Sequence, residues 1–317
     1  MKGAGAISQP CSILVLGAGE LGMAVLQHLA LRAASLPRLV LSVLLRPEGI
    51  SPADDLRKRA QAAELQLSGV RVVFGDLAQD SEAALASIFR GFDTVIGCTG
   101  FVAGRSIQLK LARAALVGGV KRYLPWQFGV DYDVIGKRSA QDLFDEQLEV
   151  RDLLRSQSTT EWIIISTGMF TSFLFEPSFG VVDLPQNTVH ALGSWENSVT
   201  VTTAEDIGKL TAEILLTEPK ISNRVLYTAG DTVTYGHLAD TIDLVLQRRI
   251  ERVLWTVPML KEQLAADPEN AISKYRVVFA EGRGVAWPTD QTFNAQKAIP
   301  VVGIERWLRE HLSPEPS

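Results

Sequence analysis

The sequence predicts a doubly wound α/β fold: a parallel sheet with helices on both faces, joined to a smaller C-terminal substrate lobe. Three observations predict it. From residue 12 to about residue 167, short β-branched apolar runs alternate with longer stretches of helical period. The runs are almost continuously apolar, as strands buried on both faces are, and the stretches between them suit right-handed crossovers. Finally, Gly17, Gly19 and Gly22 cluster directly after the first run, where a strand would turn tightly into a helix.

The elements follow in order. Strands are expected at 13–16, 39–45, 70–74, 94–96, 122–124 and 162–166, and helices at 21–32, 54–67, 81–89, 106–117 and 140–156. After Gly168 the rhythm changes to a segment rich in Phe, Pro and Gly. Helices at 204–216 and 235–247 follow, with a strand at 224–227 between them. An element at 257–264, an irregular stretch at 281–290 and a closing helix at 303–312 complete the chain. Residues 1–167 are expected to form the first domain and 168–317 the second lobe, partly interleaved with the first. No Ser/Gly-rich linker, internal repeat or low-complexity tract divides them, so one continuous core is expected.

Composition narrows the function. The chain has 317 residues, 46% hydrophobic and 21% charged, which suits a globular protein with a large core and excludes a disordered or disulfide-stapled one. Its 31 basic and 36 acidic residues are spread along the sequence, so no basic face favours nucleic acid or anionic lipid. The two cysteines, Cys11 and Cys98, form no C-x-x-C or Cys/His cluster, and a structural metal is not expected. No run of 18 apolar residues suggests a membrane span, and residues 1–10 do not read as a leader; a cytoplasmic location is expected. His28, His190 and His237 have no partner spacing, and Ser106, Ser139 and Ser166 lie in no nucleophile elbow.

The residues from Ser12 through Gly17-Ala18-Gly19-Glu20-Leu21-Gly22 read as strand, G-x-G-x-x-G, helix. Gly17 serves the tight turn, Gly19 lets a pyrophosphate approach the backbone, and Gly22 lets the helix pack on the strand. Helix N-terminal amides then face the phosphate charge. This is the dinucleotide fingerprint, and it makes residues 1–167 an expected NAD(P)-binding Rossmann domain. At the end of the second strand, where an acidic residue selects NAD, the chain carries Arg46, whose guanidinium suits a 2′-phosphate, with Glu48 close behind it. NADP(H) is therefore the expected cofactor. Arg57, with Lys58 and Arg59, either adds positive field or forms a solvated helix face. Asp76 and the Thr99-Gly100-Phe101 turn follow the third and fourth strands, where adenosine and nicotinamide ribose would lie. Asp76 is alternatively a helix cap.

At this point the residues resemble the isoflavone reductase-like, NmrA-like branch of atypical short-chain dehydrogenases, and its fungal aromatic alcohol reductase-like subgroup in particular. The resemblance covers residues 12–183 well and the rest loosely. It rests on the glycine loop, on Gly75-Asp76-Leu77, on the Pro125-Trp126-Gln127-Phe128-Gly129 block and on Thr167-Gly168-Met169-Phe170. It implies a bound NADPH delivering hydride to an aromatic small molecule, with Gln127, Gly168 and Phe170 on the cofactor side. It also implies a general acid/base lysine on the fifth helix. Aligned with the family's Phe-x-x-Lys, Phe144-Asp145-Glu146-Gln147 puts Gln147 at that position. A primary amide orients a carbonyl or hydroxyl but exchanges no proton near neutral pH.

The alternative pair, Tyr132 and Lys137, is one residue out of the Tyr-x-x-x-Lys register and lies on a segment that Gly136 marks as a loop. Three mechanisms remain open. Reduction proceeds with another acid (Tyr132, Lys137, Asp131 or water), or with little acid on a conjugated acceptor such as a quinone methide. In the third case the fold supports a non-redox rearrangement or a cofactor-sensing role. Trp126, Tyr132, Met169 and Phe173, with Phe175 and Phe179, are the expected wall of an apolar pocket for a planar substrate; taken singly, each of Phe173, Phe175 and Phe179 reads as core before it reads as contact. The expected partner is that small molecule, without nucleic acid or membrane, and a homodimer is left open.

Overall fold

The computed structural model describes residues 11–33, 36, 38–47, 60, 63, 65–101 and 104–312. Strands β1 (Cys11–Leu16), β2 (Leu39–Leu45), β3 (Arg71–Phe74), β4 (Thr94–Gly97), β5 (Arg122–Leu124) and β6 (Glu161–Ser166) lie parallel in the order β6-β5-β4-β1-β2-β3. Past β6 come β7 (Met169–Phe170), β8 (Val182–Asp183), β9 (Thr188–Leu192) and β10 (Ser198–Thr202), before β11 (Arg224–Tyr227) adds a seventh strand beside β6. The remaining strands, β12 (Asp231–Thr234) and β13 (Glu251–Trp255), complete two three-stranded sheets, β12-β10-β7 and β13-β9-β8.

The apolar runs form central strands because both faces are covered: Ile13 to Leu16 of β1 are wholly excluded from solvent, as are Val43, Val95, Ile96, Leu124, Ile163 and Ile164. Burying one such side chain stabilises the fold by about 2 kcal/mol. Register then sets the site. Leu16 pairs with Leu44 of β2 and with Gly97 of β4, so the carboxyl ends of β1, β2 and β4 are level. The segments leaving them, Gly17 onward, Arg46 and Cys98-Thr99, leave from one edge of the sheet.

By compactness the chain divides into two units. One comprises Met1–Trp126, Glu149–Ile164 and Gly208–Arg224; the other comprises Gln127–Leu148, Ile165–Ile207 and Val225–Ser317. Among the described residues no helix is long and apolar enough to cross a membrane, and no group of three or more His, Cys, Asp or Glu side chains is placed to hold a metal ion.

The parallel sheet follows the sequence pattern; the differences lie elsewhere. Of the helix expected at 54–67, only residues 60, 63 and 65–67 are described, and they are helical. Glu48 and Arg57–59 lie outside the described residues. The segment at Tyr132, expected as a loop, is a one-turn helix, Tyr132–Ile135, capped by Asp131 and ended by Gly136 at φ 79°. The glycine acts as a terminator there, which loop-like composition does not distinguish from a loop. The strands β7 to β10, β12 and β13 and the helix Ala271–Glu281 were not anticipated. Those strands run two to five residues. They lack the sustained apolar runs of β1, β2 and β6, and threonines carry much of β10 and β12.

Candidate active site

In the first unit the three loop glycines answer to different neighbours. Gly17 has φ 95°, and a Cβ there would stand 2.5 Å from Thr99 Oγ1, a hydroxyl that donates to the Leu16 carbonyl at 2.9 Å. A Cβ on Gly22 would stand 2.1 Å from the Gly17 carbonyl oxygen, so the first helix, Glu20–Ala33, packs on the turn only with glycine there. Gly19 is exposed, and a Cβ on it would meet nothing within 4 Å. Among the described residues no atom demands that glycine. Its missing side chain leaves open the ground before a helix N-terminus whose first amides have no intrahelical acceptor, which fits a dinucleotide pyrophosphate. Leu21 is buried, so only its main chain can face such a ligand; Glu20 is exposed, and its carboxylate would repel phosphate.

Arg46 is exposed directly past β2, and its neighbour Leu45 accepts from Gly75 N at 3.0 Å, which brings the ends of β2 and β3 together. Asp76 turns its side chain onto its own loop, where Oδ1 accepts from Ala78 N (2.8 Å) and Gln79 N (3.1 Å). It closes a turn and does not cap the following helix, Glu82–Phe89; Ser81 does that, accepting from Ala84 N at 3.2 Å. Thr99 accepts on its carbonyl from Gln108 Nε2 at 2.8 Å. Trp126 covers this turn: a Cβ on Gly100 would lie 2.8 Å from its ring, and Phe101 meets it edge-on at 4.7 Å.

In the second unit, Gly168 takes φ 74°, and a Cβ on it would overlap the Thr200 carbonyl. The Gly129 carbonyl accepts from both Thr167 N and Gly168 N at 3.0 Å, while Thr202 Oγ1 donates to the Thr167 carbonyl at 2.6 Å. Met169 and Phe170 then pair with Val201 and Thr202 of β10. Met169 is buried and Phe170 half-buried. Phe173 stacks on Phe179 at 4.7 Å, whereas Phe175 stacks on Trp307 of the closing helix at 4.5 Å.

Gln147 lies on the helix Leu143–Arg155, wholly buried, and neither atom of its side-chain amide has a hydrogen-bond partner among the described residues. Buried amides are nearly always paired, so this one is set apart. Gln127, also wholly buried, donates from Nε2 to the Gln147 carbonyl at 2.8 Å. It therefore fixes the main chain of that residue and leaves its side chain untouched. Phe144, one helical turn before Gln147, meets the buried Tyr132 at 4.9 Å and Tyr275 at 5.8 Å, both edge-on.

Lys137 is exposed beyond Gly136, while Tyr132 is buried against Phe144. Asp131 is occupied as a cap: Oδ1 accepts from Asp133 N (3.1 Å) and Val134 N (3.3 Å), and Oδ2 accepts from the Tyr227 hydroxyl (2.7 Å).

Sequence reading missed Tyr275. It sits on the helix Ala271–Glu281, with Phe173 at 6.0 Å as well as Phe144, and burial followed by the nearby Tyr132 pushes its phenol pKa up. Its neighbour Lys274 is buried and held by Asp142 at 3.0 Å and Glu269 at 3.8 Å. Apolar residues at helical spacing in this helix are the signal that would have found the element, though not its partners. His190 is a packed histidine, with Nδ1 2.7 Å from the Gly180 carbonyl and its ring stacked on Trp255.

Known proteins carry the same frame. The model of the NmrA-like family matches residues 10–298. An NmrA-like family domain-containing oxidoreductase of Gibberella moniliformis is 44% identical over 300 residues, covering 94% of this chain and 97% of that protein. A phenylcoumaran benzylic ether reductase of Pinus taeda is 28% identical over 209 residues, 64% of this chain and 66% of its own length. The leucoanthocyanidin reductase–NADPH complex of Vitis vinifera superposes with a TM-score of 0.76 at 20% identity, covering 94% of this chain and 98% of that one, a likeness of fold. On the match across residues 10–298 and the 44% identity, this chain belongs to the NmrA-like family.

Proposed function

We propose that the protein is an NADPH-dependent reductase of an aromatic or conjugated, secondary-metabolite-type small molecule. The observation that carries the proposal is the cradle at Gly19, an exposed glycine that no atom of the described residues requires, at the head of a helix and flanked by two glycines that the protein's own atoms do require. Membership in a family with a 44%-identical relative described as an oxidoreductase, and a fold like that of an NADPH-bound reductase, add to it.

In this reading the amides of Gly19, Glu20, Leu21 and Gly22 receive the pyrophosphate. Arg46 pairs with the 2′-phosphate. Thr99, Gly100 and Phe101 border the ribose, and Gln127, Gly168 and Phe170 serve the nicotinamide end. When bound, NADPH supplies the hydride. Trp126, Tyr132, Met169 and Phe173 exclude water and orient the flat substrate. Gln147 directs the substrate oxygen as a hydrogen-bond partner and moves no proton itself.

The test has two parts. Fluorescence titration should give tighter binding of NADPH than of NADH, and NADPH should be consumed with at least one acceptor in a panel of quinone-methide precursors, enones and aromatic carbonyls. Binding without consumption across the panel would remove the reductase and leave a non-redox or sensing role.

A further inference from the structure

We propose that the Tyr275 hydroxyl and the Gln147 side-chain amide form a pair of neutral hydrogen-bond donors that hold the substrate oxygen. The pair thereby takes the place of the acid/base lysine. This inference rests on the reductase reading and names its missing donor.

Three lines converge on Tyr275. Its ring meets Phe144, which lies one turn before Gln147 on the same helix face, and Phe173, one of the expected pocket residues. Tyr132, another of these, lies close enough to shift its titration. Tyr275 thus adjoins two of the residues read as substrate-facing, Phe173 and Tyr132. Among the described residues its hydroxyl makes no hydrogen bond, whereas the Tyr227 hydroxyl, for comparison, is taken by Asp131. The Gln147 amide is wholly buried, where Tyr275 is half-buried, and it too has no hydrogen-bond partner among the described residues.

Two of the nearby charges are already engaged. Lys274, adjacent to Tyr275, is neutralised by Asp142 and Glu269, and Asp131 is committed to its helix cap and to Tyr227. A half-buried phenol and a wholly buried amide, linked through the Phe144 ring that one meets and the other follows by a helical turn, are donors of the kind that stabilise an oxyanion while titrating little themselves.

The chemistry then selects a substrate whose oxygen is conjugated with the carbon that is reduced. As that carbon gains hydride, the displaced electron pair settles on the oxygen. The O–H of Tyr275 and the N–H of Gln147 hold the resulting phenolate or enolate, and water returns the proton. No bond to either side chain forms or breaks.

The test uses the full chain with NADP+ and two ligands, 4-nitrophenolate and nitrobenzene, measured by calorimetry, so that no turnover is needed. The unaltered protein should prefer the phenolate. Tyr275→Phe and Gln147→Met, each of which keeps the shape and removes a donor, should each cut that preference about tenfold while circular dichroism is unchanged. With a turned-over acceptor, Tyr275→Phe should lower kcat about a hundredfold with KM nearly constant. An undiminished phenolate preference in Tyr275→Phe, or no preference in the unaltered protein, overturns the proposal. A separate NADPH titration reports on the cofactor reading alone: loss of NADPH binding with phenolate preference intact would sink that reading and spare the donor pair.

Discussion

The glycine loop of the first unit and the neighbourhood of Gln147 in the second are built on opposite terms. In the loop, Gly17 and Gly22 are explained by the protein's own atoms, Thr99 Oγ1 for one and a carbonyl for the other, and only Gly19 is not. Around Gln147 the aromatic rings are explained by mutual packing, and the wholly buried amide is not. In each region one residue has no internal justification. It is an absent side chain in the loop and an unanswered polar group at Gln147. The lesson is to look for function where the fold's own needs fail to account for a residue type.

Substitutions in the loop give the largest effects and separate its two kinds of glycine. Gly22→Ala must push a methyl group into the Gly17 carbonyl, and backbone on both sides leaves little room to yield. We expect a loss on the order of 4 kcal/mol, read as a fall in Tm of about 10 °C. Gly19→Ala meets nothing in the protein and should leave Tm within a degree or so of its original value, yet weaken NADPH roughly a hundredfold. If both variants merely unfold the protein, or both spare NADPH, the two glycines are not different in kind.

Arg46→Ala sharpens the same region by one step. An exposed guanidinium has no part in the core, so stability should hold while NADPH affinity falls about thirtyfold and NADH affinity barely moves. Equal losses for both nucleotides, measured by fluorescence titration, would remove Arg46 from the 2′-phosphate.

These contrasts also show what a sequence can carry. The loop is legible because its constraints are local: three glycines, a strand before them and a helix after them span a dozen residues, and the apolar runs of the central sheet announce themselves as buried. Gln147 is singled out in the sequence only by the resemblance of Phe144-x-x-Gln147 to the family's Phe-x-x-Lys. What is not legible is its company. Tyr275 reaches Phe144 and Phe173 through packing between distant segments, and no spacing encodes that. The partners of Asp131 are hidden for the same reason, since Tyr227 lies on β11 and Gly284 beyond the helix Ala271–Glu281. Its own cap of Tyr132–Ile135 is local, but Gly136 made the segment read as a loop.

The smallest expected effect has the most distinctive sign. A buried amide with no partner among the described residues has lost its hydration without a bond from them in return, so removing it should help the fold. Gln147→Leu keeps a similar volume in an apolar setting, and we expect a gain of about 1–2 kcal/mol, seen as a higher Tm, together with loss of turnover. Gln147→Lys separates polarity from proton transfer. Burial favours the neutral amine and pulls the lysine pKa down, so the charged donor is lost as pH rises through that lowered value. The variant's kcat/KM should therefore fall on the alkaline side of a midpoint well below that of a free lysine, where the unaltered protein has no such inflection. A Gln147→Leu protein less stable than its parent would mean the amide is satisfied in solution. An unchanged pH profile in Gln147→Lys would place the position outside the reaction.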